Sequence, residues 1–70
     1  MPSSNPVTLR RHELSLTQAR LAEKAGLNIR QVQKIEKGET DLGNLTFRNA
    51  VRLACALELS LEELAAYIEQ

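Results

Sequence analysis

Apolar residues return along this 70-residue chain at the three- and four-residue intervals of amphipathic helices. Nowhere do they alternate as they would in a half-buried strand. Val7, Arg10, Arg11 and Leu14 share one side, with Leu9 also turned inward, which predicts a first helix from the Asn5-Pro6 start to about Glu13 or Leu14. Leu21, Ala22 and Ala25 predict a second, from about Gln18 to Ala25. Val32 and Ile35 predict a third, from about Ile29 to Glu36. Phe47, Ala50, Val51, Ala54 and Leu57, with Leu53 adjoining, predict a fourth from Phe47 to about Leu57. Leu61, Leu64, Ala65 and Ile68 predict a fifth, from Leu61 to about Ile68. The class that follows is all-α, with five helices, no internal repeat and no low-complexity segment.

Polar residues punctuate this pattern where helices start. Asn5, Thr17, Asn28, Thr46 and Ser60 each precede a predicted helix and can accept from its orphan first-turn N–H groups. Pro6 suits the first helical position, where its missing N–H costs nothing. Gln31 stands three residues after Asn28, and Glu63 three after Ser60, the spacing of reciprocal capping boxes. Leu16 with Leu21, Leu27 with Val32, and Leu59 with Leu64 are at staple spacing. Gly26 and Gly38 follow the second and third helices, where a left-handed backbone is needed to turn the chain. Ser15 ends the first helix, and ETDLGNL, rich in turn formers, separates the third from the fourth.

Two short helices joined by a tight turn dominate the stretch Thr17 to Gly38, TQARLAEKAGLNIRQVQKIEKG. Ala22 is small enough to let them cross closely. The spacing of Gln18, Ala22, Gly26, Val32 and Ile35 resembles the DNA-binding helix-turn-helix, specifically the Xre-like family of phage Cro and lambda-repressor-type proteins. The resemblance extends from about Leu9 to Leu64 and takes in Arg11, the terminal Glu36-Lys37-Gly38 and LACALELSLEEL. It implies a five-helix lambda-repressor-like domain over residues 6–70, with the helix-turn-helix proper at 17–38 and a flexible tail over residues 1–5. It also implies that Arg11 pairs with Glu36, tying the first helix to the third; a direct phosphate contact is the alternative for Arg11. Gln18 matches the family glutamine that bonds a phosphate and braces the recognition helix.

Composition narrows the functional classes. Lone Cys55 cannot form an internal disulfide, and with only His12 beside it cannot build a zinc site. Cys55 reads as a small packed thiol and His12 as a surface residue. Only Phe47 and Tyr67 are aromatic, too few for a single-strand stacking platform. No cofactor, metal or membrane partner is expected, and neither an apolar run of membrane-spanning length nor a secretory leader pattern occurs, so a cytoplasmic location follows. An enzyme is disfavoured: there is no paired-carboxylate site and no phosphate-cradling glycine loop.

Net formal charge is zero, which at first argues against a nucleic-acid binder, but the charge is divided. Residues 1–38 carry seven basic and three acidic side chains, a balance of +4; residues 39–70 carry two basic and six acidic, a balance of −4. A local basic face, not a basic protein, is what DNA requires.

With Val32 and Ile35 turned to the core, the other face of the third helix is free for the major groove. Asn28, Ile29, Arg30, Gln33 and Lys34 are the candidate base contacts. Arginine and lysine match guanine, glutamine matches adenine, and isoleucine meets a thymine methyl. Arg10, Thr17, Gln18 and Lys37 are the candidate phosphate contacts. Glu39, Thr40, Asp41 and Leu42 supply acid where phage repressors carry basic residues, so modest monomer affinity and a homodimer are expected. The fourth and fifth helices, with Leu59, Leu61 and Tyr67, are the expected pairing surface. The function read from the sequence is a double-stranded-DNA-binding transcriptional regulator, of the repressor kind. An antitoxin that also binds a toxin partner protein, and an interaction module that has lost DNA binding, are the alternatives.

Overall fold

A computed structural model describes residues 5–68; of the expected tail over residues 1–5, residues 1–4 lie outside the described residues, and Asn5 is held as the α1 cap rather than belonging to a tail. Five helices follow in order: α1 Pro6–Glu13, α2 Gln18–Ala25, α3 Ile29–Lys37, α4 Phe47–Ala56 and α5 Leu61–Ile68. A single 3-10 turn, Leu42–Asn44, interrupts the connection between α3 and α4. No strand occurs among the described residues.

All five expected caps are used. Asn5 accepts from the Val7 N–H at 2.8 Å, Thr17 from Arg20 at 3.1 Å and Thr46 from Asn49 at 3.2 Å. Asn28 accepts from Arg30, and its own N–H donates to Gln31 Oε1, both at 2.9 Å. The Ser60–Glu63 box closes in the same reciprocal way, and the Ser60 N–H and hydroxyl hold the Glu63 carboxyl below its usual range. The first four helices also share one ending. A left-handed residue (Ser15, Gly26, Gly38 or Glu58) reverses the chain, and the next N–H returns to a carbonyl five residues back. Those bonds run from Leu16 to Arg11, Leu27 to Ala22, Glu39 to Lys34 and Leu59 to Ala54.

The core gathers the predicted stripes: Val7 of α1, Leu21, Ala22 and Ala25 of α2, Val32 and Ile35 of α3, and Leu53, Ala56 and Leu57 from the end of α4. Leu16, Leu27, Leu59 and Tyr67 pack against it, so Leu59 and Tyr67 serve the core rather than a surplus surface. Other expectations are corrected. Of the stripe expected on α5, Leu64 is buried but Leu61 and Ile68, at the two ends of the helix, are 44% and 42% exposed. Leu9 is 53% exposed because it lies across α1 from buried Val7. Cys55 is exposed, being opposite Leu53 and Leu57 on α4. Phe47 is 76% exposed. A helical side chain lies back over the turn before it, and Phe47, first in α4, has no such turn to cover.

Polar bonds fasten α1 to the end of α3. Arg11 grips Glu36 with both ends of its guanidinium, Nε to Oε2 at 2.8 Å and Nη2 to Oε1 at 3.0 Å. Its Nη1 donates to the Leu16 carbonyl at 2.8 Å. The pair is well covered, Arg11 being 12% and Glu36 6% exposed at the side chain. Thr8 Oγ1 and Gln18 Nε2 also donate to Glu36 Oε1, at 2.9 and 3.2 Å. Burial alone would raise the Glu36 pKa. Hydrogen bonds from Arg11, Gln18 and Thr8, with the Arg11 charge, outweigh it and hold the carboxyl below its ordinary 4.5.

Two predictions follow from these contacts. Gly38 has φ +79° and no atom within 4 Å of an added Cβ. Gly38→Ala is therefore expected to cost about 1 kcal/mol from backbone strain alone, while Glu58→Gly, which relieves φ +58°, raises the melting temperature by a few degrees. Thermal melts of both variants check this; equal shifts of the same sign would contradict it. Because folding lowers the Glu36 pKa, its ionised form stabilises the fold above pH 4.5, and that contribution disappears as pH falls through the lower folded value. Glu36→Gln is expected to cost about 2–4 kcal/mol at pH 7 and to flatten the acid limb of the stability curve. Urea titrations from pH 7 to 3 measure it. A change no larger than that of exposed Glu13→Gln would remove the pair from the account.

Candidate nucleic-acid interface

The apolar face of α3 fixes what its other face presents. Val32 and Ile35 are buried, and Glu36 turns inward to α1 and α2. At about 100° per residue, Arg30, Gln33, Lys34 and Lys37 fall within a single arc of roughly 100° on the opposite side. Arg30, Lys34 and Lys37 are exposed and Gln33 is half-buried. None of these four side chains makes a hydrogen bond or ion pair among the described residues. Ile29, 40% exposed, stands at the helix start. Three of the four polar side chains on this ridge are exposed, and a single helix is the width that a B-DNA major groove admits.

The turn that sets the ridge is built locally. Gly26 has φ +67°, which redirects the chain out of α2 so that α3 crosses it. Asn28 caps α3, so its Oδ1 is committed to the Arg30 N–H while its amide N–H groups remain available for a base. Gln31 is committed to the same capping box.

The candidate phosphate contacts divide. Thr17 is exposed at the start of α2, with its oxygen accepting from Arg20 and its hydroxyl hydrogen free to donate. Gln18 follows it, one amide hydrogen donated to Glu36 and the other available. It therefore touches α3 through Glu36. Lys37 is exposed at the end of α3. Arg10 is placed elsewhere. Its Nε donates to the Leu57 carbonyl at 2.9 Å and its Nη2 to the Glu58 carbonyl at 3.4 Å, with Glu13 at 3.3 Å from Nη1. It satisfies the open end of α4, because α1 turns it to the same side as Val7 and Leu14.

The contacts of Thr8 and Asn5 with α3 were not read from the sequence, which offered Asn5 only as the α1 cap. Thr8 precedes Arg11 by three residues, and that shared helical face was the available signal. Asn5 Nδ2 donates to the Ile35 carbonyl at 2.9 Å, a contact thirty residues distant that no local pattern announces. Arg52 was also missed; its guanidinium lies 4.0 Å from where a Gly26 Cβ would stand, beside the negative end of α2. A groove of about 730 Å³ opens at the C-terminal end of α3, lined in part by Asn5, Glu36, Asp41 and Tyr67; of the ridge residues it includes Lys37 but not Arg30, Gln33 or Lys34. No helix among the described residues is long and apolar enough to cross a membrane.

Comparison with known proteins matches this geometry. Residues 8–64 fit the model of a helix-turn-helix family. The chain is 39% identical over 54 residues to the cryptic phage CTXphi transcriptional repressor RstR of Vibrio cholerae serotype O1, a match covering 77% of this chain and 46% of that protein. The chain thus accounts for about half the length of that relative. The crystal structure of the restriction-modification controller protein C.AhdI from Aeromonas hydrophila superposes with a TM-score of 0.73 and 31% identity, covering 83% of each chain. With the turn at Gly26, the buried Val32–Ile35 face and a family match over most of its length, the chain belongs to the Xre-type helix-turn-helix family of DNA-binding regulators.

Proposed function

We propose that this chain is a sequence-specific transcriptional regulator, a repressor, that binds double-stranded DNA in the cytoplasm as a homodimer and lays α3 in the major groove. The observation that carries the reading is the free outer ridge of α3. Arg30, Gln33 and Lys34 stand together on it, away from the core and without partners among the described residues. Arg30 and Lys34 read guanine, Gln33 reads adenine, and Ile29 meets a thymine methyl. Thr17, Gln18 and Lys37 flank the ridge and take phosphates, with the N-terminal N–H groups of α2 adding partial positive charge. The repressor and controller relatives support a regulatory role over an enzymatic one.

Dimerisation follows from the weakness of a single copy. The segment after α3 brings Glu39 and Asp41 rather than cations, so few phosphates are neutralised and affinity from charge is small. Phe47, Leu61 and Ile68 are apolar and exposed on α4 and α5, and they supply the pairing surface. Exposed Arg48 and Arg52 on α4 complement exposed Glu62 on α5 in a second copy.

Selection of binding sites from random duplex DNA tests this reading. The expected product is a two-fold symmetric site with half-site centres about one helical turn apart. A shallow dependence of affinity on salt is expected with it. Enrichment of no sequence, with no retardation of DNA at low salt, would overturn it. Gln33→Ala is expected to leave the melting temperature within a few degrees of the parent. It should relax preference at one base position by about 1–3 kcal/mol. Unchanged preference in the same selection would strike Gln33 from the base-reading set.

A further inference from the structure

We infer that Asn5 is a positioning residue for the recognition helix, acting through its bond to the Ile35 carbonyl rather than through the α1 cap it also forms. This rests on the reading of α3 as the DNA-contacting helix. Asn5 works in two directions. Its Oδ1 accepts from Val7 at 2.8 Å and holds α1, while its Nδ2 donates to Ile35 O at 2.9 Å and holds α3. One turn further along α1, Thr8 donates to the Glu36 carboxylate at 2.9 Å. Consecutive residues of α3 are thus tied to the first turn of α1, Ile35 by its backbone and Glu36 by its side chain. The family match begins at residue 8, so Asn5 lies outside the part of the chain that the family likeness describes.

The local surroundings separate geometry from stability. Asn5 and Ile35 both line the open groove at the end of α3. Ile35 O also accepts the Gly38 N–H at 3.2 Å, and water can replace the amide donor on its other lone pair, so loss of the Asn5 bond costs folding little. What water does not replace is direction. Without the Asn5 bond, the C-terminal half of α3, which carries Lys34 and Lys37, is less firmly fixed relative to Arg30. Specific contacts need all three side chains in register with the base edges, whereas non-specific attraction to phosphates tolerates a shifted helix.

Asn5→Ser and Asn5→Asp test this, because both keep a strong N-cap; the ionised aspartate has no hydrogen to donate to Ile35 at neutral pH, and the serine oxygen, one bond shorter than Asn5 Nδ2, does not reach Ile35 O while it caps α1. Affinity for the selected site and for an unrelated duplex is measured at one salt concentration, beside thermal melts. The expected result is specific binding weakened about three- to tenfold, the scale of one net hydrogen bond, with non-specific binding within about twofold and melting within a few degrees. Specific affinity equal to the parent's would overturn the inference. So would a parallel loss of both affinities with a large fall in melting temperature, which marks a merely structural residue. A parent chain with no preference among DNA sequences would overturn the functional reading itself, a result distinguishable from a preference that both variants retain.

Discussion

One carboxylate holds this small domain in its working shape. Glu36 accepts from Thr8 and Arg11 of α1 and from Gln18 of α2 while belonging to α3. Three helices therefore meet at a single side chain that is almost fully covered. A buried ion pair is weak evidence for stability in general, since an apolar replacement of like volume serves as well or better. Direction is the stronger reason for this one. Apolar contacts at Val32 and Ile35 hold α3 against the core but resist sliding poorly, because dispersion is not directional. The bidentate guanidinium, the hydroxyl and the amide set where the end of α3 stands. The ridge of Arg30, Gln33 and Lys34 inherits its orientation from that arrangement.

The division of charge has the same logic. A zero net charge would disfavour DNA if it were spread evenly. Here the basic residues concentrate in the first half of the chain, which contains the helix-turn-helix, and the acid in the second half. The acidic connection after α3 and the acidic first turn of α5 then oppose non-specific adhesion along any duplex. The proposed regulator depends on base contacts and on pairing of copies more than on electrostatic attraction.

Local signals made most of the fold legible in the sequence. Caps, staples and left-handed endings are satisfied within a few residues of themselves, and the five predicted helices agree with the observed ones to within about one residue at each end. Family resemblance supplied the Arg11–Glu36 pair, which spacing alone did not. The errors lie where distant elements decide. Arg10 stands on the inward side of α1, and only the three-dimensional course of the chain puts the end of α4 within its reach. Phe47 fits the periodic stripe of α4 and still projects outward, since periodicity does not say where a packed neighbour ends. Cys55 and Leu9 are the reverse case: the helical wheel already placed them opposite Leu53 and Val7, and an apolar side chain was credited with burial that its angle denied. The ridge itself was readable, because packing Val32 and Ile35 inward leaves few places for the residues between them.

Methylation interference on a bound duplex bears most directly on the claim that α3 reads the major groove. Methyl groups at guanine N7 block that groove, and methyl groups at adenine N3 block the minor one. The account predicts loss of binding on N7 methylation in two half-sites about one helical turn apart, with adenine N3 methylation there tolerated. Interference confined to adenine N3, or none at guanine N7, would contradict it.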